Sequence, residues 1–329
     1  MPEGHSIHRL AATLNELFTG TALRTSSPQG RFSDGARLLD GQVMLPAQAW
    51  GKHLFVPFVP RNLAHELSEY DAAEVGALGS PVPTWLQVHL GLYGAWTFQG
   101  DETFAKSTSV GAPRRKIGEG DDVVGVDYVP GAGYEPGADT VWEPPAPRDT
   151  VRLRIETEHG VGDLTGPNQC RIIDALELER VLNRLGPDPI RNDPGDRAEF
   201  IARVRGRRMA VGALVMDQSV AAGPGNIYRA ECLFRTGIHP YRPGARVSEK
   251  RVGELWDDLV LTMRDGVKTG KIWTLPEELA PAEEIAGDPE ASRWAVYQRT
   301  GRTCLRCGST VKEAEMQGRR LFWCGGCQR

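Results

Sequence analysis

None of the 329 residues fall in an unbroken apolar run near the roughly 18 positions that mark a membrane-spanning helix, so a membrane protein is not expected. The chain does not open on a basic segment followed by an apolar one, so a secretory leader is not expected either, and the cytosol is the default compartment. Positive charge is not in excess. There are 39 Lys and Arg against 43 Asp and Glu, a net of −4, which taken whole argues against a nucleic-acid partner. Cysteine is scarce over most of the length: only Cys170 and Cys232 precede residue 304, each in an apolar context that suits a buried thiol. No internal repeat is evident.

What is there changes the reading of the charge. Residues 1–196 hold 17 Lys and Arg against 27 Asp and Glu, a net of −10, while residues 197–329 hold 22 against 16, a net of +6. From Arg293 onward there are 8 basic and 2 acidic residues. An acidic first part joined to a basic second part fits a polyanion held on one face; it also fits an uneven solvated surface. The length allows two domains with at least one sizeable core.

Patterning divides the chain in the same place. "GHSIHRLAATLNELF" sets Ile7, Leu10, Ala11, Leu14, Leu17 and Phe18 at helical spacing, with Gly20 as the stop. "KHLFVPFV" alternates at Leu54, Val56 and Phe58, and "TWLQVHLGLYGAWTF" at Leu86, Val88, Leu90 and Leu92. "TVRLRIETEHG" turns Val151, Leu153 and Ile155 one way and Arg152, Arg154 and Glu156 the other. The first half therefore reads as one helix with a mostly antiparallel sheet assembly. Residues 60–84 and 111–149 read as inserted surface loops, and 275–291 as an acidic one. Beyond "LGPDPIRNDPGD", near 185–195, successive segments keep helical spacing with short connections, so the second half reads as α-helical.

The last 26 residues hold Cys304-Leu-Arg-Cys307 and, after sixteen residues, Cys324-Gly-Gly-Cys327. Two such hooks can close four thiolates around one structural zinc ion with no open position for catalysis. Two disulfides, or a redox pair, are the alternatives; the first does not suit a cytosolic chain and the second needs only one hook. "EAEMQGRRLFWC" reads as a hairpin turning near Gly318, and it carries Arg319 and Arg320, either a phosphate clamp or two solvated cations. In "DQSVAAGPGNIYRAECLF", a Gly-Pro-Gly turn feeds a helix whose first N–H groups, beside Asn226, are expected to face outward as a phosphate site.

The first three residues raise a separate question. Trimming of Met1 leaves Pro2 with a free secondary amine and Glu3 beside it, either an ordinary first helical turn or a nucleophile with its acid alongside. "MPEGHSIHRL", "WGKHLF" at 50–55, "HLGLYGAW" at 89–96, "VMDQSVAAGPGNIYRAE" at 215–231 and the terminal "GRRLFWCGGCQR" stand together in one order. In these motifs the chain resembles the formamidopyrimidine-DNA glycosylase/endonuclease VIII family of base excision repair enzymes, and is most similar to its actinobacterial endonuclease VIII-like members.

The resemblance implies an α+β fold with three parts. An N-terminal two-layer antiparallel β-sandwich with flanking helices would occupy 1–185, a helical helix–two-turn–helix domain 196–290, and a zinc hairpin 293–329. It implies a bifunctional DNA glycosylase/AP lyase acting on damaged double-stranded DNA, with no small-molecule cofactor, expected as a cytoplasmic, nucleoid-associated monomer. Pro2 would attack C1′ of the damaged nucleotide, Glu3 would shuttle protons, and Lys52 would assist. Asn226 and Arg319 would bind phosphate, with His89 and Tyr297 as further backbone contacts. Leu92 and Tyr93 would fill the gap left by the extruded base, and Gly91 stands where enteric relatives carry a wedge glutamine. "GLYG" suggests oxidised pyrimidines; oxidised purines, or a damage-binding module without catalysis, are the alternatives.

Overall fold

The computed structural model describes residues 2–67, 83–101, 104, 110–111, 142–280 and 293–329. Most of the two expected insertions and of the acidic loop lies outside the described residues. Residues 61–67, at the start of the first insertion, form a short helix rather than loop. The chain divides into two compact units, with the break between Leu182 and Asn183 and with Glu3–His5 grouped with the second unit. Among the described residues no helix is long and apolar enough to cross a membrane.

In the first unit the elements run α1 (Gly4–Phe18), β1 (Arg24–Ser26), α2 (Ser33–Leu39), β2 (Val43–Met44), β3 (Gln48–Trp50), β4 (His53–Val59), α3 (Arg61–Leu67), β5 (Thr84–His89), β6 (Ala95–Gly100), β7 (Val110–Gly111), β8 (Val151–Glu156), β9 (Gly160–Thr165), β10 (Gln169–Ile173) and α4 (Ala175–Leu182). One sheet has the order β1-β8-β9-β6-β7 and the other β10-β5-β4-β2, with β3 also on β4. Every pairing is antiparallel. Both sheets and α1 feed one core: Leu54, Val56, Phe58, Leu86 and Val88 from one, Trp96, Phe98, Leu153, Ile155 and Leu164 from the other, and Ile7, Leu10, Leu14 and Phe18 from the helix. Burial of this apolar set, at about 25 cal/mol per Å² removed from water, is what drives the sheets face to face.

On two strands the face opposite the alternating apolar residues is covered as well. Strand β4 is not half-solvated, because Phe55, Pro57 and Val59 on its second face are buried as well. Arg154 does not face solvent. It is buried, with Nε and Nη2 each 2.7 Å from the two carboxylate oxygens of Asp163 on β9 and Nη1 2.7 Å from the Pro145 carbonyl. A register shift between Val151 and Leu153 accompanies it. Burying a charge costs least when it is paired and hydrogen-bonded, and all three nitrogens of Arg154 have a partner here.

The second unit carries α5 (Asp196–Arg205), α6 (Val211–Leu214), α7 (Asn226–Arg235), α8 (Glu249–Thr269) and the hairpin β11 (Val311–Met316) with β12 (Arg319–Cys324). Helix α7 is buried along residues 226–234, so it is the centre of the unit rather than an amphipathic surface helix. Helix α8 is capped by Ser248, whose hydroxyl accepts from the Arg251 N–H, and stops at Gly270 with φ +73°. The hairpin turns on Gln317 and Gly318, both at positive φ (53° and 68°), the geometry of a tight two-residue turn. Its Val311, Phe322 and Cys324 lie in one apolar cluster with Phe234, Trp256 and Met263 of the helices.

Candidate functional site

The sequence-selected residues fall into two groups, one in each unit. In the first, Pro2 is buried. Lys52 occupies the Gly51–Lys52 turn that joins β3 to β4 as a two-residue hairpin, Trp50 pairing with His53; Gly51 sits at φ +59°, and Lys52 is half-buried. His89 ends β5. Burial lowers its pKa below the usual 6.5, and the nearby Lys52 charge adds to this. Three residues on, Leu92 and Tyr93 form the tip of the β5–β6 turn, 43% and 69% exposed. Large apolar side chains at a turn tip have no folding reason to be exposed. Leu92 is therefore not a continuation of the β5 alternation, as its spacing suggests. Gly91 has φ +70°, and a Cβ there would come 2.8 Å from Asn168 Cβ, so this turn has no room for a longer first residue.

In the second unit the chain start and the Gly-Pro-Gly turn are fitted to each other. Glu3 is fully buried, and its two carboxylate oxygens accept the Gly225 N–H at 2.7 Å and the Ile227 N–H at 3.0 Å. Gly4 N–H donates to the Gly223 carbonyl at 3.0 Å. A Cβ on Gly225 would meet Glu3 Cδ at 2.4 Å, and one on Gly4 would meet Gly223 Cα at 2.9 Å. The glycines of "PEG" and "GPGN" thus allow this approach. The start of α7 is consequently not the open phosphate site that the Gly-Pro-Gly turn suggests, because a carboxylate of the same chain already takes the N–H groups on either side of Asn226.

Asn226 itself is 7% exposed. Its Nδ2 donates to the Arg320 carbonyl at 2.9 Å, and its Oδ1 accepts from Arg229 Nη2. Arg229 Nη2 also reaches the Arg320 carbonyl at 2.8 Å. The start of α7 and the start of β12, with Arg319 exposed beside it, are therefore tied together. Arg320 pairs instead with Glu313 at 2.6 and 2.9 Å. Tyr297 is 5% exposed, its ring edge-on to Trp294 and Phe322, and its N–H donates to Glu231; packing is its visible role.

Three features escaped the sequence reading. Arg229 is a fully buried guanidinium; among the described residues no carboxylate is in hydrogen-bond contact with it, and its Nε and Nη1 find no partner. Burial brings its pKa down to about 10, the Glu3 charge opposing this and Arg319 adding to it. The signal was a pair of charges, Arg229 and Glu231, in the middle of a helix otherwise built of buried side chains. Glu231, two further on, is equally buried and accepts the N–H groups of Ala295, Val296 and Tyr297, each at 2.8 Å, and Thr274 Oγ1 at 3.2 Å. The third is a chain on the sheet, Arg171 to Gln87 to His53, which only three-dimensional register brings together.

The Sγ atoms of Cys304, Cys307, Cys324 and Cys327 all lie within 4.8 Å of one another. The 304–327 and 307–324 pairs stand at 3.8 and 3.4 Å, far beyond the ~2.05 Å of a disulfide and close to the ~3.8 Å edge of a tetrahedron with ~2.3 Å zinc–sulfur bonds. Hydrogen bonds from Ser309 lower the Cys307 thiol to about 6, whereas burial raises that of Cys327. A Cβ on Gly326 would come 2.9 Å from Cys307 Sγ, so the second hook needs its glycine. The donor set fits one four-coordinate metal ion.

A model described as formamidopyrimidine-DNA glycosylase H2TH domain matches residues 185–276. Endonuclease 8 1 of Mycobacterium tuberculosis is 36% identical over 329 residues, the whole of both chains. Formamidopyrimidine-DNA glycosylase of Xanthomonas campestris is 36% identical over 178 residues, 54% of this chain and 62% of that one. The crystal structure of Lactococcus lactis formamidopyrimidine-DNA glycosylase, bound non-covalently to DNA containing an AP site, superposes with a TM-score of 0.64 at 17% identity and 99% coverage of each chain. A MutM complex with DNA containing carbocyclic 8-oxo-G gives 0.65 at 18% identity, with full coverage of both. The full-length identity, the matched domain and the shared fold show that this chain belongs to the formamidopyrimidine-DNA glycosylase/endonuclease VIII family.

Proposed function

We propose that the protein is a bifunctional DNA glycosylase/AP lyase of base excision repair, which removes oxidised bases and cleaves the strand at the abasic site by β,δ-elimination. The observation that carries the reading is the burial of the chain start. A terminus is ordinarily the least ordered part of a domain. Here residues 2–5 are all buried and Glu3 is held by two backbone N–H groups. Such fixation suits a terminal amine used as a reagent.

The chemistry follows from the residue types. With Met1 attached, the Pro2 nitrogen is an amide and cannot attack; once released it is a secondary amine. An α-amino group has a pKa of about 8 against about 10.4 for lysine, so far more of it is free base near neutrality. Attack on C1′ displaces the base, which leaves with a proton; the C1′–O4′ bond then breaks, O4′ taking a proton, and gives an iminium that must be cationic, since the secondary amine has already lost its one N–H. That cation draws the electron pair of the C2′–H bond and expels the 3′ phosphate, then the 5′ phosphate. Glu3 receives and returns the protons moved in ring opening, and Lys52 assists from its turn. Asn226 and Arg319 hold phosphate, with His89 as a further backbone contact, and Leu92 and Tyr93 fill the stack, offsetting the few kcal/mol that base extrusion costs. The cysteines would hold a structural zinc ion.

Oxidised pyrimidines are the favoured substrates, supported by full-length similarity to an endonuclease 8 and by the two-residue tip at Leu92–Tyr93. The test is borohydride trapping on a duplex with one abasic site, using protein with an untagged, processed N-terminus and Pro2→Gly beside it. A covalent adduct mapped to Pro2 is expected. Tight binding without any adduct, with Met1 shown to be absent, would instead make this a damage-binding module.

A further inference from the structure

A hydrogen-bond chain on the second sheet is not used by the mechanism above. His53 and His89 are register partners on β4 and β5, and their rings meet edge to face with centroids 5.0 Å apart. His53 Nδ1 lies 3.1 Å from Gln87 Nε2, and Arg171 Nε lies 2.8 Å from Gln87 Oε1. A guanidinium can only donate, so the amide atom facing Arg171 must be the oxygen and the NH₂ must face His53. That NH₂ can also only donate. Nδ1 of His53 therefore carries a lone pair, and the neutral ring bears its proton on Nε2. His89 is set the same way by a donor that cannot be reversed, the Gly91 backbone N–H, 3.1 Å from its Nδ1.

We propose that Arg171 and Gln87 are positioning residues that fix His53 as a neutral Nε2–H tautomer against the ring of His89, whose own tautomer the Gly91 N–H sets, so that both imidazoles stand neutral beside Lys52. The proposal rests on His89 being a DNA backbone contact. A neutral N–H donates to a phosphate oxygen without adding charge, and its direction does not change with pH. Protonating either ring would set N–H against N–H and break the bond that orients it. Among the described residues, the charged groups seen near the pair are Lys52 on the β3–β4 turn and Arg171 on β10, which meets Glu177 of α4 through Nη1 at 3.4 Å. Burial and Lys52 lower the pKa of His89, which works in the same direction.

The experiment uses full-length, zinc-loaded, ¹⁵N-labelled protein. Long-range ¹H–¹⁵N spectra would be recorded from about pH 5.5 to about pH 8 for native protein, Arg171→Met and Gln87→Glu. Affinity for a duplex containing a tetrahydrofuran abasic analogue would be measured at each pH. Native protein should show Nε2–H on both histidines and an affinity that varies less than about twofold from this source. Arg171→Met touches neither ring, yet it frees the Gln87 amide to reverse, and His53 should begin to populate Nδ1–H. Gln87→Glu should accept from both Arg171 and an Nδ1–H, charge His53, and make affinity rise about tenfold on acidification. Native His53 protonated on Nδ1, or tautomers unchanged in both variants, would overturn the proposal. So would a charged His53 in Gln87→Glu with affinity still flat against pH. Failure of native protein to bind the duplex at all would sink the proposed function instead, and the spectra of the free protein would still decide the tautomers.

Discussion

Glu3 shows how one residue serves fold and chemistry together. Its two oxygens are already engaged by Gly225 and Ile227, so any proton it handles is handled from a fixed position. Substitution therefore has two separable effects. Glu3→Gln keeps the shape but sets an NH₂ against a backbone N–H, and stability should fall by about 1–3 kcal/mol. If Glu3 is also the proton carrier, excision of a damaged base should fall by far more than that loss explains at a temperature where the variant stays folded. Melting curves measured beside single-turnover excision separate the two, and excision falling only in step with unfolding would leave Glu3 a cap. Arg229 predicts the reverse pattern. Replacing a buried, incompletely bonded charge by an apolar chain of similar length is often neutral or stabilising. Arg229→Met should therefore melt no lower than native protein. It also removes the group that orients the Asn226 amide, so affinity for abasic duplex should drop about tenfold, the worth of one charge-assisted hydrogen bond. A lower melting point with unchanged affinity would contradict this assignment.

At the scale of elements, the hairpin is not an appendage. Val311, Phe322, Cys304 and Cys324 share a core with α7 and α8, so metal loss should be felt through the second unit. Cys304→Ser is expected to lower metal content from about one per chain, reduce the melting temperature and weaken DNA binding together. Unchanged metal content measured by absorption spectrometry would refute the four-thiolate site. This hairpin was legible in sequence because its hooks, its turn and its cation are local. Helix α1 and strands β5 and β8 were legible because their apolar periods are local too. What was not legible depends on pairing between distant segments. The two-sided burial of β4 needs to be known from its neighbours, since alternation reports one covered face only. The Arg154–Asp163 pair needs the β8–β9 register. The start of α7 looked like a phosphate site because the sequence does not say that Glu3, more than 220 residues earlier, already occupies it.

At the scale of the whole molecule, charge and neutral donors should part company in salt. The chain is net negative, so any DNA affinity must come from local cations, and residues 197–329 carry the net +6. Each phosphate neutralised by a cation releases counterions and contributes about −0.9 to the slope of log affinity against log salt; a neutral hydrogen bond contributes nothing to it. Arg319 is an exposed cation at the start of β12, whereas Asn226 is an uncharged amide bonded to that same strand. Arg319→Ala should therefore weaken binding and flatten the slope by about 0.9. Asn226→Ala should weaken binding at every salt concentration with the slope unchanged. Titrations of a fluorescent abasic-analogue duplex over a range of potassium chloride concentrations give both quantities from one data set. Equal slopes for native protein and Arg319→Ala would mean that the arginine acts through the protein rather than on a phosphate, and the phosphate-binding role would then pass to another cation of the second unit.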